Sequence, residues 1–302
     1  MTAPPTLPED PLDLAELDNR CRWQLRPPQQ FPHPSASAWG FDQYGLWQTF
    51  LIAGEAYRMR YMAPGSFLMG SPQSELDRFP NETQHAVTLT QGFWLGETTV
   101  TQALWWAVMG DNPSRFQPEG SAELPVENVS WDDCEKFFTR VAELEGGIQF
   151  TFPTEAQWEY ACRAGTRTPF ATGDNLATAQ ADYNGNLPNV GHAKGIDREK
   201  TVLVREFSPN PWGLHQMHGN VWEWCLDDLR GYRAQPEIDP LGNLDSRERA
   251  LRGGSWFDNA RGCRSTSRLR SGRDIRSDLI GLRAAMVPAS KGERDARLFP
   301  AE

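Results

Sequence analysis

RALRGGSWFDNARGCRSTSRLRSGRDIRSDLIGLR, residues 249–283, is the stretch on which the reading of this chain turns. With its two preceding residues it carries ten Arg against four acids and no Lys. A diffuse cationic surface would use both cations. Arginine alone points to the planar guanidinium, which stacks on rings and makes forked hydrogen bonds. These arginines are therefore expected to stack on Trp256 and its neighbours and to pair with Asp274 or Asp278, stiffening loops. Between them, Phe257, Leu269 and Ile275 stand beside Gly and Asp, a mixture unsuited to a uniform core. It suits an exposed recognition surface of aromatic anchors and polar contacts.

Outside that stretch the chain is acidic. Its 302 residues carry a formal net charge of −10, which argues against nucleic acid as a partner, because a polyanion is repelled. Twelve Trp and 26 Gly set large flat side chains among tight turns, the composition of a loop-rich protein pinned by aromatic packing. The five cysteines, Cys21, Cys134, Cys162, Cys225 and Cys263, are scattered and form no CxxC, so neither a disulfide framework nor a zinc knuckle is indicated. His215 and His218 form an HxxH pair, but on a turn rather than a helix face, which disfavours zinc. The N-terminal residues show no secretory pattern, and no apolar run approaches the ~20 residues needed to span a bilayer. The expected setting is cytoplasmic, away from membranes.

Along the chain, residues 1–38 read as an extended arm rich in Pro, 39–288 as a single domain, and 289–302 as a tail. YGLWQTFLI and EAYRMRYM alternate around Ala53-Gly54 and predict a hairpin. HAVTLTQGFWLGETTVT adds two strand-like runs. Helices are predicted after the Thr101, Ser130 and Thr154 caps, closing at Gly110, Gly146 and Gly165. Beyond Gly165 the chain reads mostly as loop, with short apolar pieces such as TVLV. The fold class expected is α+β, with few helices, short antiparallel sheets and much irregular loop.

Four segments occur in order: APGSFLMGS at 63–71, FPTEAQWEYACRAGT at 152–166, GLHQMHGNVWEW at 213–224, and RALRGGSW with the closing IGLR at 249–283. Together they resemble the formylglycine-generating, or sulfatase-modifying, enzymes, from about Tyr57 to Met286. The resemblance implies a C-type-lectin-like topology. It also implies, for the oxidases of that family, a copper-holding cysteine pair five residues apart. The matching positions here are Asp258 and Cys263, and a carboxylate is a poor ligand for Cu(I). No copper is therefore expected. If the chain were an oxidase acting on a partner protein's cysteine, Cys263 would be its surviving thiol.

The same stretch is similar to the C-termini of variable proteins from diversity-generating retroelements. In them a fixed frame of Arg, Ser and Gly carries positions diversified from Asn codons. Laid on this chain, the frame covers Arg252, Gly253, Gly254, Ser255, Trp256, Arg264, Ser265, Arg268, Arg270, Arg276, Ile280, Gly281 and Arg283. The diversified positions fall on Phe257, Asp258, Asn259, Gly262, Leu269, Ser271, Gly272, Ile275, Ser277, Asp278 and Leu279. None of these carries Lys, Glu, Gln, Met or Trp, the residues that adenine mutation of an Asn codon cannot give. The function this implies is non-catalytic binding of a protein or other macromolecular ligand, with Trp256 joining those eleven in the site. Calcium is the structural ion the resemblance implies. One set of ligands is Asp182, the Tyr183 carbonyl and Asp197; the other is Glu223 with carbonyls of Gly219 and Val221. Gln216 stands where an acid or Asn is usual.

Overall fold

At the Ala53-Gly54 turn both residues take positive φ, 49° and 91°, as a two-residue hairpin with the natural strand twist requires. The computed structural model describes residues 23–287, so most of the expected arm and all of the tail at 289–302 lie outside the described residues. In chain order the strands are β1 (Ala38–Asp42), β2 (Gly45–Ile52), β3 (Glu55–Met62), β4 (Gly65–Met69), β5 (His85–Leu89), β6 (Phe93–Gly96), β7 (Trp222–Trp224), β8 (Glu237–Ile238), β9 (Glu248–Arg252), β10 (Arg268–Gly272), β11 (Ile280–Gly281) and β12 (Ala285–Met286). They form three small sheets: β1-β2-β3-β6-β12, β10-β9-β7-β11 and β4-β5-β8. The fold is α+β with much irregular loop, as the sequence predicts.

Three helices follow the cap residues. Helix α1 (Gln102–Met109) starts at Thr101, whose side chain accepts from the Leu104 amide, and ends on left-handed Gly110. Helix α2 (Trp131–Glu145) opens with a reciprocal capping box between Ser130 and Asp133. Helix α3 (Glu155–Arg163) opens with another between Thr154 and Gln157. Its end differs from the expectation: Ala164, not Gly165, is the left-handed cap residue. The TVLV piece at 201–204 forms no strand. Its amides and carbonyls bind loop partners instead, with Val202 held by Asn220.

The core lies between the five-stranded sheet and the helices. Trp105 stacks on Phe137 at 5.1 Å, and Trp131 stacks on Phe152 at 4.7 Å. A second cluster, around Trp158, Tyr160 and Trp212, fills the space between α3 and the other sheets. From the described end of the N-terminal arm, Phe31 stacks on Trp94 at 5.7 Å. Two pairings then position the C-terminal segment. β12 pairs with β6, while β9 lies between β7 and β10, so residues 249–286 are stitched to strands from both halves of the chain.

Candidate functional site

Most of the arginines of residues 249–283 turn inward. Arg249, Arg252, Arg264, Arg268 and Arg283 are all buried. Arg252 pairs with Glu159 and lies over Trp158 at 5.3 Å. Arg264 makes a fork to Glu82 at 2.8 and 2.9 Å. Arg268 makes another to Glu155, both arms at 2.6 Å, and lies over Tyr232 at 3.6 Å. Stacking and pairing thus occur as expected, but the partners differ. The acids come from α3, the loop before β5 and β7 rather than from Asp274 or Asp278, and the rings are those of Trp131, Trp158, Tyr232 and Phe79 rather than Trp256. The reason is depth: a guanidinium beneath the segment meets the elements it packs on, not its own loop. Arg270 and Arg276 remain at the surface, on Glu248 and Asp133. Gly253 and Gly254 turn the chain at φ 104° and 79°, and a Cβ on Gly254 would lie 2.6 Å from Cys263 Sγ.

The residues between the arginines face outward. Phe257, Leu269 and Ile275 are 60%, 44% and 47% exposed, and Asn259 is exposed with them. Asp258, Ser271, Gly272, Ser277, Asp278 and Leu279 are half-buried. Two expected ligand residues are buried. Gly262 is buried in a short 3-10 turn (Ala260–Cys263), where a Cβ would meet that of Asp258 at 3.2 Å. Trp256 is buried too and acts from below. Its ring meets Phe257 edge-on at 5.6 Å, and its Nε1 donates to the Asp278 carbonyl at 3.1 Å. Asp258 turns its carboxylate inward, accepting from Ser255 N and Oγ at 3.0 and 2.5 Å and from Trp222 Nε1 at 2.8 Å.

Contacts link these residues into a rim and a strand. The rim joins Trp256, Phe257 and Asp278; Leu269, Ser271 and Gly272 run along β10, at the edge of its sheet. The loop with Ile275 is tied to the start of α2, where Arg273 binds Asp132 and Glu135 and Arg276 binds Asp133. Other rim residues had no signal in the sequence. Phe116 meets Trp256 edge-on at 5.4 Å, and Arg115 binds Asp278. Exposed Leu187 sits on a loop whose backbone runs beside residues 258–260. These come from distant loops with no motif, and only the folded chain brings them near.

The positions matching a copper pair do not offer two soft ligands. Cys263 is fully buried among Phe170, Leu176, Ala181, Tyr183 and Ala260, and burial pushes its thiol well up. Asp258 is committed to its three hydrogen bonds. His218 is also held: Nδ1 donates to the Cys263 carbonyl and Nε2 accepts from the Ala171 amide, with burial lowering its pKa to about 4. Among the described residues no group of three or more His, Cys, Asp or Glu is placed to hold a metal ion.

The two calcium sets fare differently. Glu223 is saturated: Oε1 accepts from Arg283 Nε and Nη2 at 3.1 and 2.7 Å, and Oε2 from Arg283 Nε and Trp158 Nε1 at 2.9 and 2.7 Å. Arg283 also donates to the carbonyls of Gly96, Glu97 and His215. A guanidinium already supplies the charge there, so Glu223 with the Gly219 and Val221 carbonyls does not fit a second cation. Asp182 is the opposite. It is fully buried, neither carboxylate oxygen has a hydrogen-bond partner, and Arg198 Nη1 lies 3.5 Å away. A buried carboxylate whose ion pair with Arg198 is that long fits a cation. Asp197 spends its oxygens on Asn186 Nδ2 and the Glu199 amide.

Comparison with known proteins bears on the fold. The family model described as "Sulfatase-modifying factor enzyme 1-like domain" matches residues 53–287. The formylglycine-generating enzyme of Streptomyces coelicolor is 34% identical over 201 residues, 61% of this chain and 61% of that protein. The inactive C-alpha-formylglycine-generating enzyme 2 of Bos taurus is 29% identical over 197 residues, 60% of this chain and 58% of that protein. The chain thus spans about three fifths of the length of these curated relatives. Among solved structures, Treponema denticola variable protein 1 superposes with a TM-score of 0.68 at 26% identity, covering 80% of this chain and 99% of that one.

Proposed function

The chain belongs to the sulfatase-modifying factor enzyme 1-like family, and within it we propose a non-catalytic member that binds a protein ligand through the displayed residues of its C-terminal segment. The observation that carries this reading is the sorting of one stretch of sequence into two media. The frame arginines are mostly buried and paired, while Phe257, Asn259, Leu269 and Ile275 point to solvent. Side chains whose loss leaves the interior intact are free to specialise in recognition. Likeness to a variable protein supports the same reading, as does the existence of a relative named inactive. Diversification of these positions by a retroelement belongs to this proposal, and a template repeat beside the gene is its marker.

Calcium enters as a structural ion. Asp182 with the Tyr183 carbonyl would hold it, and Asp197 lies near; the ion would neutralise the buried carboxylate and fix the loop under residues 258–260. A second reading, an oxidase acting on a partner protein's cysteine through Cys263, is favoured by the Streptomyces relative. The burial of Cys263 and the engagement of Asp258 oppose it.

The test compares the full wild-type chain with Phe257→Ser/Leu269→Ser, both exposed positions, in affinity capture from lysate of the source cell, alongside Cu(I) titration. The expected result is a partner lost in the double variant at unchanged melting temperature, and no stoichiometric Cu(I) binding. Retention of every captured partner, or one Cu(I) per chain abolished by Cys263→Ser, would overturn the reading.

A further inference from the structure

One wall of the displayed rim comes from elsewhere in the chain. Arg115 and Phe116 follow α1, and their backbone is fixed on both sides: the Phe116 amide donates to Glu127 Oε1 at 2.9 Å, and Gln102 Nε2 donates to the Phe116 carbonyl at 2.9 Å. From that fixed backbone the Phe116 ring meets Trp256, and the Arg115 guanidinium lies 5.0 Å from the Phe116 ring centre while binding the Asp278 carboxylate. The Arg115 side chain is 63% exposed and that of Asp278 is 23% exposed, so the cation stands at the surface with its counter-charge set beside it.

Asp278 plays two separable roles. Its main-chain carbonyl receives Trp256 Nε1 and so belongs to the frame. Its carboxylate touches Arg115 and, at 3.5 Å, Ser277 Oγ, and none of the buried arginines. Changing the side chain therefore alters the charge of the rim and leaves the interior alone. With Asp278 in place, the rim presents a compensated ion pair beside the aromatic Phe116 and Phe257. The pair itself offers no net charge for an ionic group to match, and the acidic chain as a whole repels polyanions.

We infer, resting on the recognition surface proposed above, that residue 278 sets its ionic preference. As Asp it covers Arg115, and the surface selects a protein partner through uncharged aromatic and aliphatic side chains. A neutral residue at 278 frees the guanidinium, and the same surface then selects a partner that presents a carboxylate.

The experiment pans a phage library of random dodecapeptides on the full chain as wild type, Asp278→Asn, Asp278→Asn with Arg115→Ala, and Phe257→Ser. The wild-type pool is expected to be aromatic and aliphatic and to vanish with Phe257→Ser. The Asp278→Asn pool should gain Asp and Glu by about two- to fivefold, the scale of an exposed ion pair, and lose the gain with Arg115→Ala. Equal acidic content in the first two pools, or a gain that survives Arg115→Ala, overturns the inference while leaving the recognition surface standing. A pool indifferent to Phe257→Ser contradicts the recognition surface itself. A ligand-free measurement decides the charge cover in every case: phenylglyoxal, which modifies accessible guanidinium groups, should react with Arg115 about two- to fivefold faster in Asp278→Asn. Equal rates would contradict it.

Discussion

Arg264 and Leu269 stand five residues apart in one stretch of chain and serve opposite ends. The first is fully buried with its fork closed on Glu82; the second is 44% exposed. The same alternation separates Arg252 from Phe257 and Arg268 from Ile275. Held in this way, the segment gains rigidity from buried ion pairs as well as from the β9–β10 ladder, and the exposed side chains between them are released from structural duty. Buried pairs are a weak source of net stability, but breaking one leaves a charge without a partner in a dry interior. The frame is therefore intolerant where the display is permissive.

The largest break should come at Arg283. Arg283→Ala strands Glu223 between Trp158 and the carbonyls it once shared, and denaturant unfolding should show a loss of about 3–5 kcal/mol. Recovery of part of that loss by adding Glu223→Gln would tie the effect to the uncompensated charge and not to lost volume.

Two buried acids in the same neighbourhood sharpen the contrast. Glu223 has its cation built in, whereas Asp182 lacks hydrogen bonds to its carboxylate. Calcium at a hundredfold its Kd should therefore stabilise the chain by about 2.7 kcal/mol, read as a rise in melting temperature reversed by chelator. Asp182→Asn should abolish the rise and Glu223 should play no part in it. A calcium response that survives Asp182→Asn would show that the ion sits elsewhere.

A smaller effect concerns Glu127, buried where the frame meets the rim. Burial pushes its carboxyl up to about 7 from the ordinary 4.5, against the hydrogen bond from the Phe116 amide. Because the folded value lies above the unfolded one, this group favours the fold most below pH about 4.5, and the contribution is lost as pH rises through about 7. It amounts to about 3 kcal/mol. Melting temperatures across that window should fall less in Glu127→Gln than in the wild type. Parallel curves would mean that Glu127 does not titrate there.

Much of this architecture was legible before the fold was seen. Thr101, Ser130 and Thr154 announced the helices because a cap acts within one turn of chain, and Ala53-Gly54 announced the hairpin for the same local reason. The arginine frame was legible as a frame, since Lys was absent from it. Its partners were not. Glu75, Glu82, Glu155, Glu159 and Glu223 lie far off in sequence, and nothing local tells which acid a guanidinium will meet. Gly262 looked like a displayed position by its place between frame residues, yet the 3-10 turn after Asn259 rolls it under Asp258. Arg115 and Phe116 could not be read at all, because their role exists only where one loop closes against another.

Buried frame and displayed surface alternate within residues 249–283. That alternation is tested most directly by a saturation scan of that stretch read by protease resistance of the surface-displayed chain. The expected pattern is intolerance at Arg252, Gly254, Arg264, Arg268 and Arg283, with changes at Phe257, Asn259, Leu269 and Ile275 held within about 0.5 kcal/mol of the wild type. If those four prove as intolerant as the arginines, they are part of the core and the recognition surface does not exist.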